Sequence, residues 1–104
     1  MAEPHRIIIL PEALSDLDSI FDYIEQHSPQ NAVTVARRLI EAIDSLERFP
    51  HRCKIHVSNK DPQRVVRSLP VGPFIIYYRV LDARVAVEIM TIRHGARRQP
   101  KRFD

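Results

Sequence analysis

Phe74-Ile75-Ile76-Tyr77-Tyr78-Arg79-Val80-Leu81-Asp82-Ala83-Arg84-Val85-Ala86-Val87-Glu88-Ile89-Met90-Thr91-Ile92 is the stretch that decides the fold. Phe74–Leu81 and Arg84–Ile92 are rich in β-branched and aromatic residues and meet at a tight Asp82-Ala83, so they read as a β-hairpin. With a two-residue loop, Tyr78 falls opposite Val87 and Phe74 opposite Thr91. Phe74, Ile76, Tyr78 and Val80 then share a face with Val85, Val87, Ile89 and Thr91. That face is almost wholly apolar and is predicted to be the core side. The other face sets Ile75, Tyr77, Arg79 and Leu81 beside Arg84, Ala86, Glu88 and Met90. It is too polar for a core and too apolar for bare solvent, which predicts a partner surface. The hairpin runs straight into Arg93-His94-Gly95-Ala96-Arg97-Arg98-Gln99-Pro100-Lys101-Arg102, five Lys/Arg with no acid before Asp104. A strand ending in such a tail fixes positive charge at the rim of a rigid sheet.

Upstream, Ile7-Ile8-Ile9-Leu10 sits between Pro4 and Pro11 and predicts a short buried strand. Ala13, Leu14, Leu17, Ile20, Phe21 and Ile24 follow at helical spacing, with Asp16, Asp18, Asp22 and Glu25 on the opposite, solvated face. Ser28-Pro29 restarts the pattern as N-cap and first helical residue. A second apolar stripe runs Ala32, Val33, Ala36, Leu39, Ile40, Ile43, Leu46 and Phe49, ending at Pro50. Two helices with so short a connection predict an antiparallel helical hairpin. Lys54–Val57 reads as either an edge strand or a loop, and Arg64–Leu69 as a strand. The expected fold is α+β, a β-α-α-β-β-β order with an antiparallel sheet packed on an N-terminal helical hairpin. Its expected limits are strand 6–10, helices 11–27 and 29–49, strands 64–69, 74–81 and 84–93, and a basic tail 94–104, in one domain spanning 1–104.

The formal charge of +3 conceals an asymmetry. Residues 1–50 hold four Lys/Arg against nine Asp/Glu (−5), and residues 51–104 twelve against four (+8). A basic half predicts an anionic partner, nucleic acid or an acidic protein segment. The N-terminus has no long apolar run, so neither signal peptide nor membrane span is expected. Cys53 stands alone, in keeping with a reducing cytoplasm.

His51-x-Cys53-x-x-His56 offers three donors in six residues but lacks the paired spacing of a structural zinc site, so no metal is expected. Asp18, Asp22 and Glu25 are better read as a solvated helix face than as an acid–base set. With only Gly72 and Gly95 there is no phosphate-cradling loop, and no serine sits in a nucleophile elbow. The arginines are more informative. Arg64 and Arg67 lie on one strand, Arg79 on the next, and Arg93, His94, Arg97 and Arg98 leave the last. Neighbouring strands would gather several of these around one anion, which the planar guanidinium grips in a bidentate fork.

Several pieces together resemble the RelE/ParE superfamily of type II toxin–antitoxin toxins. They are Ala13-x-x-Asp16-Leu17-x-x-Ile20-x-x-Tyr23-Ile24, Ile43-x-x-Leu46-x-x-Phe49-Pro50, Arg67-x-Leu69-Pro70-Val71-Gly72-Pro73-Phe74-x-Ile76-x-Tyr78-Arg79-Val80 and Ile92-Arg93-His94-Gly95-Ala96-Arg97. The resemblance covers nearly the whole chain. It implies a small toxin neutralised by a cognate antitoxin in a hetero-oligomer, needing no cofactor and no membrane. Two branches are implied: RelE-like toxins cut mRNA on the ribosome, and ParE-like toxins poison DNA gyrase. For cleavage the resemblance offers Arg97 for transition-state charge and Arg67 or His94 for proton transfer. Yet Ile75 stands where the cleaving branch carries a sheet arginine, and Phe103 near its tyrosine; neither can supply the missing charge or hydroxyl. The long helical hairpin and the His94-Gly95-Ala96-Arg97 ending resemble the ParE branch more closely. On that reading Arg67, Arg79, Arg93, His94, Arg97 and Arg98 meet the target, while Ile75, Tyr77, Met90 and the helical hairpin receive the antitoxin. The remaining alternative is a non-toxic remnant that only binds antitoxin.

Overall fold

The computed structural model describes residues 3–57 and 65–95. Strand β1 (Arg6–Ile9) leads into helices α1 (Pro11–His27) and α2 (Pro29–Ser45). Strands β2 (Lys54–Val57), β3 (Val65–Val71), β4 (Phe74–Leu81) and β5 (Ala86–His94) follow. The strands form one sheet in the order β1-β5-β4-β3-β2. This is the expected α+β architecture, with two refinements. Lys54–Val57 is a genuine strand, antiparallel to β3 at the sheet edge. And β1 runs parallel to β5, so the sheet is mixed rather than antiparallel throughout.

Both helices begin at a proline, where the missing N–H costs nothing. They are joined through Ser28 alone. Its side chain makes no cap; its backbone N–H instead donates to the Ile24 carbonyl at 2.7 Å, and its own carbonyl accepts from Ala32. α1 lies mainly over β5 and α2 over β3. The core is Ala13, Leu39, Ile43 and Leu46 from the helical side against Phe74, Ile76, Tyr78, Val87, Ile89 and Ile92 from the sheet.

α2 stops at Ser45, four residues short of the predicted 49, and Phe49 is 66% exposed rather than part of the core stripe. Pro50 is the reason: it disfavours the helical region for Phe49, whose φ/ψ is −133°/57°. A single 3-10 turn, Pro50–Arg52, then carries the chain into β2.

The hairpin register also departs from the prediction. Asp-Ala does not specify a two-residue turn, and the chain makes a wider one. Asp82–Arg84 form a 3-10 turn, and Val85 closes it in the left-handed region at φ 50°, its N–H bonded to the Asp82 carbonyl. That conformation costs a β-branched residue of order 1–2 kcal/mol. Tyr78 therefore pairs with Ile89, not Val87. The register shifts once more between Tyr77 and Tyr78, so Phe74 pairs with His94, Ile76 with Ile92 and Tyr77 with Thr91. Met90 is the extra residue of this bulge, without a cross-strand partner. The wider turn preserves the faces of the hairpin's inner half. Beyond the bulge, Ile92 takes the core place that Thr91 was predicted to occupy.

Asp16 is no bystander on a solvated face. Its Oδ2 accepts from the Thr91 hydroxyl at 2.5 Å and from the Ile92 amide at 3.0 Å. β1 ends at Ile9, beside Ile89, so beyond that point the carboxylate takes over from the missing strand along the β5 edge. Asp16→Ala is expected to cost about 2 kcal/mol in urea unfolding, as two charge-assisted bonds are lost and a buried amide is orphaned. Asp18→Ala on the exposed side should stay within about 0.5 kcal/mol of the parent.

Candidate functional site

Three side chains of the sheet and its neighbours fix the turn after α2. The Tyr78 hydroxyl donates to the Pro50 carbonyl at 2.7 Å, and Arg67 Nη1 donates to the carbonyls of His51 and Cys53 at 2.9 and 3.0 Å. Arg52 folds back, Nη1 to the Phe49 carbonyl and Nη2 to the Ser45 hydroxyl, both at 2.8 Å. Burial pushes the Tyr78 phenol far above its ordinary pKa, with Cys53 adding to the effect, so the hydroxyl stays a donor. His51, at the same turn, reaches Asp82 of the hairpin loop at 3.0 Å, and His5 approaches the same carboxylate at 3.6 Å.

This arrangement corrects the expected arginine cluster. Arg67 pairs in register with Tyr78 and so points to the helix side of the sheet. Arg79 follows Tyr78 on β4 and points to the other side, where it forms an ion pair with Glu88 at 2.9 Å. Arg93 pairs in register with Ile75 on that open face, and its Nη2 lies 3.8 Å from Glu12 of α1. His94 pairs with Phe74, their rings edge-to-face at 5.4 Å. Arg67 is thus separated from Arg79 and Arg93 by the thickness of the sheet. Arg97 and Arg98, like Arg64 and Phe103, lie outside the described residues.

The face away from the helices carries Ile75, half-buried, and Tyr77, only 4% exposed, so Tyr77 is not the surface contact the sequence predicted. Met90 sits at the bulge and not, as predicted, in a regular position on that face. Beside Tyr77 the face holds Ser68, its partner in register, and His56, whose Nε2 shares a 2.9 Å hydrogen bond with the Ser68 hydroxyl. The His56 and Tyr77 rings meet edge-to-face at 6.0 Å. The sequence reading missed this polar group; its signal was the alternation of Lys54, His56 and Ser68 along β2 and β3. His51, Cys53 and His56 do not converge: His51 turns to Asp82 and His56 to Ser68. Among the described residues no three His, Cys, Asp or Glu side chains are placed to hold a metal ion.

On the opposite layer an apolar groove of about 240 Å³ runs between the helices, lined by Leu14, Leu17, Phe21, Ala36, Leu39 and Ile40 among others. Leu14 and Ile40 are about half exposed. A second, charged cavity of about 340 Å³ lies at the hairpin loop among Arg79, Asp82, Arg84 and Glu88. No described helix is long and apolar enough to cross a membrane.

The model of one protein family, the ParE toxin of the type II toxin–antitoxin system parDE, matches residues 7–99. The chain belongs to the RelE/ParE superfamily of type II toxins. It is 42% identical over 86 residues to Toxin RelE2 of Caulobacter vibrioides, covering 82% of this chain and 89% of that one. The fold matches a chain of the chromosomal ParDE toxin–antitoxin system of P. aeruginosa (TM-score 0.70, 20% identity, 89% of this chain and 98% of that one). It also matches a chain of the RelBE2 toxin–antitoxin complex of Mycobacterium tuberculosis (TM-score 0.62, 21% identity, 93% and 98%). Chains from a ParDE system and from a RelBE2 complex thus share this fold.

Within this toxin, burial lowers the His56 pKa, with a smaller push from Lys54. The folded value lies below the unfolded one of about 6.5, so as pH falls the unfolded chain binds protons first. The stabilisation from neutral His56 is complete above about pH 6.5 and drains away as pH drops through the lowered folded pKa. His56→Gln should flatten this acid-side loss, read as the difference in urea midpoint between about pH 7.5 and about pH 5.5.

Proposed function

We propose that this chain is a ParE-like toxin, acting in the cytoplasm to inhibit DNA gyrase and silenced by a cognate antitoxin. The observation that carries this reading is the separation of the residues a nuclease would need. Arg67 has its Nη1 engaged on two main-chain carbonyls. His94 stacks on Phe74, four residues along β4 from Arg67's partner Tyr78, or about 13 Å of strand, with the β4 strand itself between them. A general base and a phosphate-stabilising cation must both lie within hydrogen-bond reach of the same reacting group. Ile75 adds no charge to the gap.

The target contact then falls to the end of β5. Arg93 opens onto the solvent side of the sheet with its Nε buried and without a partner among the described residues, and His94 precedes the tail carrying Arg97 and Arg98. Arg79, paired with Glu88, lies on the same face but four residues, about 13 Å, along β4 from Ile75, and Arg67 has a structural task instead. The antitoxin seat has two apolar parts, the face around half-buried Ile75 with Met90 at its bulge, beneath which Tyr77 is buried, and the groove between α1 and α2. A disordered antitoxin segment folding across them would gain about 25 cal/mol per Å² of apolar area before ordering costs. The antitoxin partner is further supported by the fold neighbours, which come from toxin–antitoxin complexes.

The 42% identical relative bears the RelE2 name, so ribosome-dependent mRNA cleavage is the rival outcome of the deciding experiment. On tightly controlled expression, gyrase inhibition gives the DNA-damage response and filamentation while translation continues. Immediate translation arrest with cuts in ribosome-bound mRNA overturns the proposal, and the absence of both identifies a remnant. Arg93→Ala is expected to reduce killing roughly tenfold, the loss of one charge-assisted contact.

A further inference from the structure

The turn that ends α2 presents an unusual surface. Phe49 is 66% exposed and Ile55 47% exposed, yet neither lines either cavity. Around them Arg48-Phe49-Pro50-His51-Arg52-Cys53-Lys54-Ile55-His56 contains three Lys/Arg, two histidines and no acid. Ile55 pairs in register with Arg67 and therefore lies on the same side of the sheet as this turn. Four carbonyls of the turn, those of Phe49, Pro50, His51 and Cys53, are already taken by Arg52, Tyr78 and Arg67.

Two consequences follow for anything that approaches. The main-chain oxygens, which would repel an anion, are neutralised by donors from within the molecule. And the guanidinium of Arg52 is pinned in place with its charge intact: it bonds only to a carbonyl and a hydroxyl. One described acid reaches this turn, Asp82, 3.0 Å from His51, and no described acid lies within ion-pairing distance of Arg48, Arg52 or Arg67. The result is a rigid turn with fixed positive charge and a flat aromatic ring standing out of it.

We infer that the Phe49 turn is a binding site for single-stranded nucleic acid, with a base stacked on Phe49 and backbone phosphates on Arg48 and Arg52. A base needs only a π-face to stack on, so the absence of Phe49 from both cavities is no obstacle. The three Lys/Arg and the lack of an acid in residues 48–56 favour an anionic partner over a neutral apolar peptide. The planar fork of Arg48 matches phosphate geometry, while Arg52, its two Nη atoms already engaged, adds a fixed positive charge. Ile55 extends the apolar floor for a neighbouring sugar or base. This site lies apart from the end of β5 and from the antitoxin surfaces, and goes beyond the reading of the toxin given above.

The test is fluorescence anisotropy of the purified full chain with a labelled single-stranded oligonucleotide of about twelve nucleotides, in both DNA and RNA form. Binding is expected at about 50 mM salt, weakening towards about 200 mM. Phe49→Ala should weaken it about 5- to 100-fold, the worth of one stacked base, while Phe49→Tyr retains it. Arg48→Gln should lower the salt slope by somewhat less than one unit. Phe49 and Arg48 are exposed, and circular dichroism confirms that the variants fold. No binding by the parent chain, or equal binding by parent and Phe49→Ala, overturns the inference, because the contact then lies elsewhere in the basic half. Tighter binding of an acidic peptide than of either oligonucleotide overturns it too. The assay contains neither gyrase nor antitoxin, so its failure leaves the toxin reading standing, and failure of the toxin reading leaves this result standing.

Discussion

The hydrogen bond from the buried Tyr78 hydroxyl to the Pro50 carbonyl is the constraint on which the rest of the molecule depends. A turn pressed against the core side of a sheet cannot leave its main-chain carbonyls to water. Here the sheet supplies the donors: Tyr78 from β4 and Arg67 from β3. Tyr78 can serve because burial keeps its phenol protonated, and Arg67 because its guanidinium cannot lose its charge. The end of α2, the start of β2 and the outward setting of Phe49 are therefore one arrangement. An arginine that looks from composition like part of a binding surface is in fact a clamp.

β5 plays the corresponding part at the other end. Its bulge at Met90 turns the residues that follow, so that Ile92 enters the core, Arg93 faces the open side and His94 lies on Phe74. Asp16 holds the strand edge just past the bulge. Gly95 then closes the β3–β4 corner, its N–H bonded to the Pro73 carbonyl at 2.6 Å. A Cβ at that position would stand only 3.1 Å from the same oxygen, closer than most side chains tolerate. The end of β5 is thus set by backbone contact.

The elements were legible in the sequence because their signals are local. Helical spacing, the prolines at 11 and 29 and the β-rich runs from Val65 onward each report on their own few residues. The failures all concern relations between distant segments. Asp82-Ala83 carries no conformational preference strong enough to set a register, and nothing local announces a left-handed Val85 or a bulge at Met90. Asp16 reads as exposed because helical periodicity knows only its own axis, not the strand edge where β1 runs out. Arg67 and Arg79 look like neighbours on adjacent strands, but pairing of Arg67 with Tyr78 puts them on opposite faces. Phe49 fits the apolar stripe by spacing, and only the proline after it removes it from the helix. The exposed ring and its arginines were visible as residue types, yet their meaning depends on donors that arrive from β3 and β4.

The basic half of the chain is consequently two surfaces rather than one. Arg93 lies on the face of the sheet away from the helices, in register with Ile75. Arg52, bonded to Phe49 and Ser45, lies at the turn held by Tyr78 on the helix side of the sheet, and Tyr78 is three residues, about 10 Å, along β4 from Ile75. Of these two arginines only Arg93 shares a face with Ile75. Arg52 and Phe49 depend instead on the donors that hold the turn, so a substitution at Arg93 leaves that turn's hydrogen bonds intact, and a substitution at Phe49 leaves the end of β5 intact.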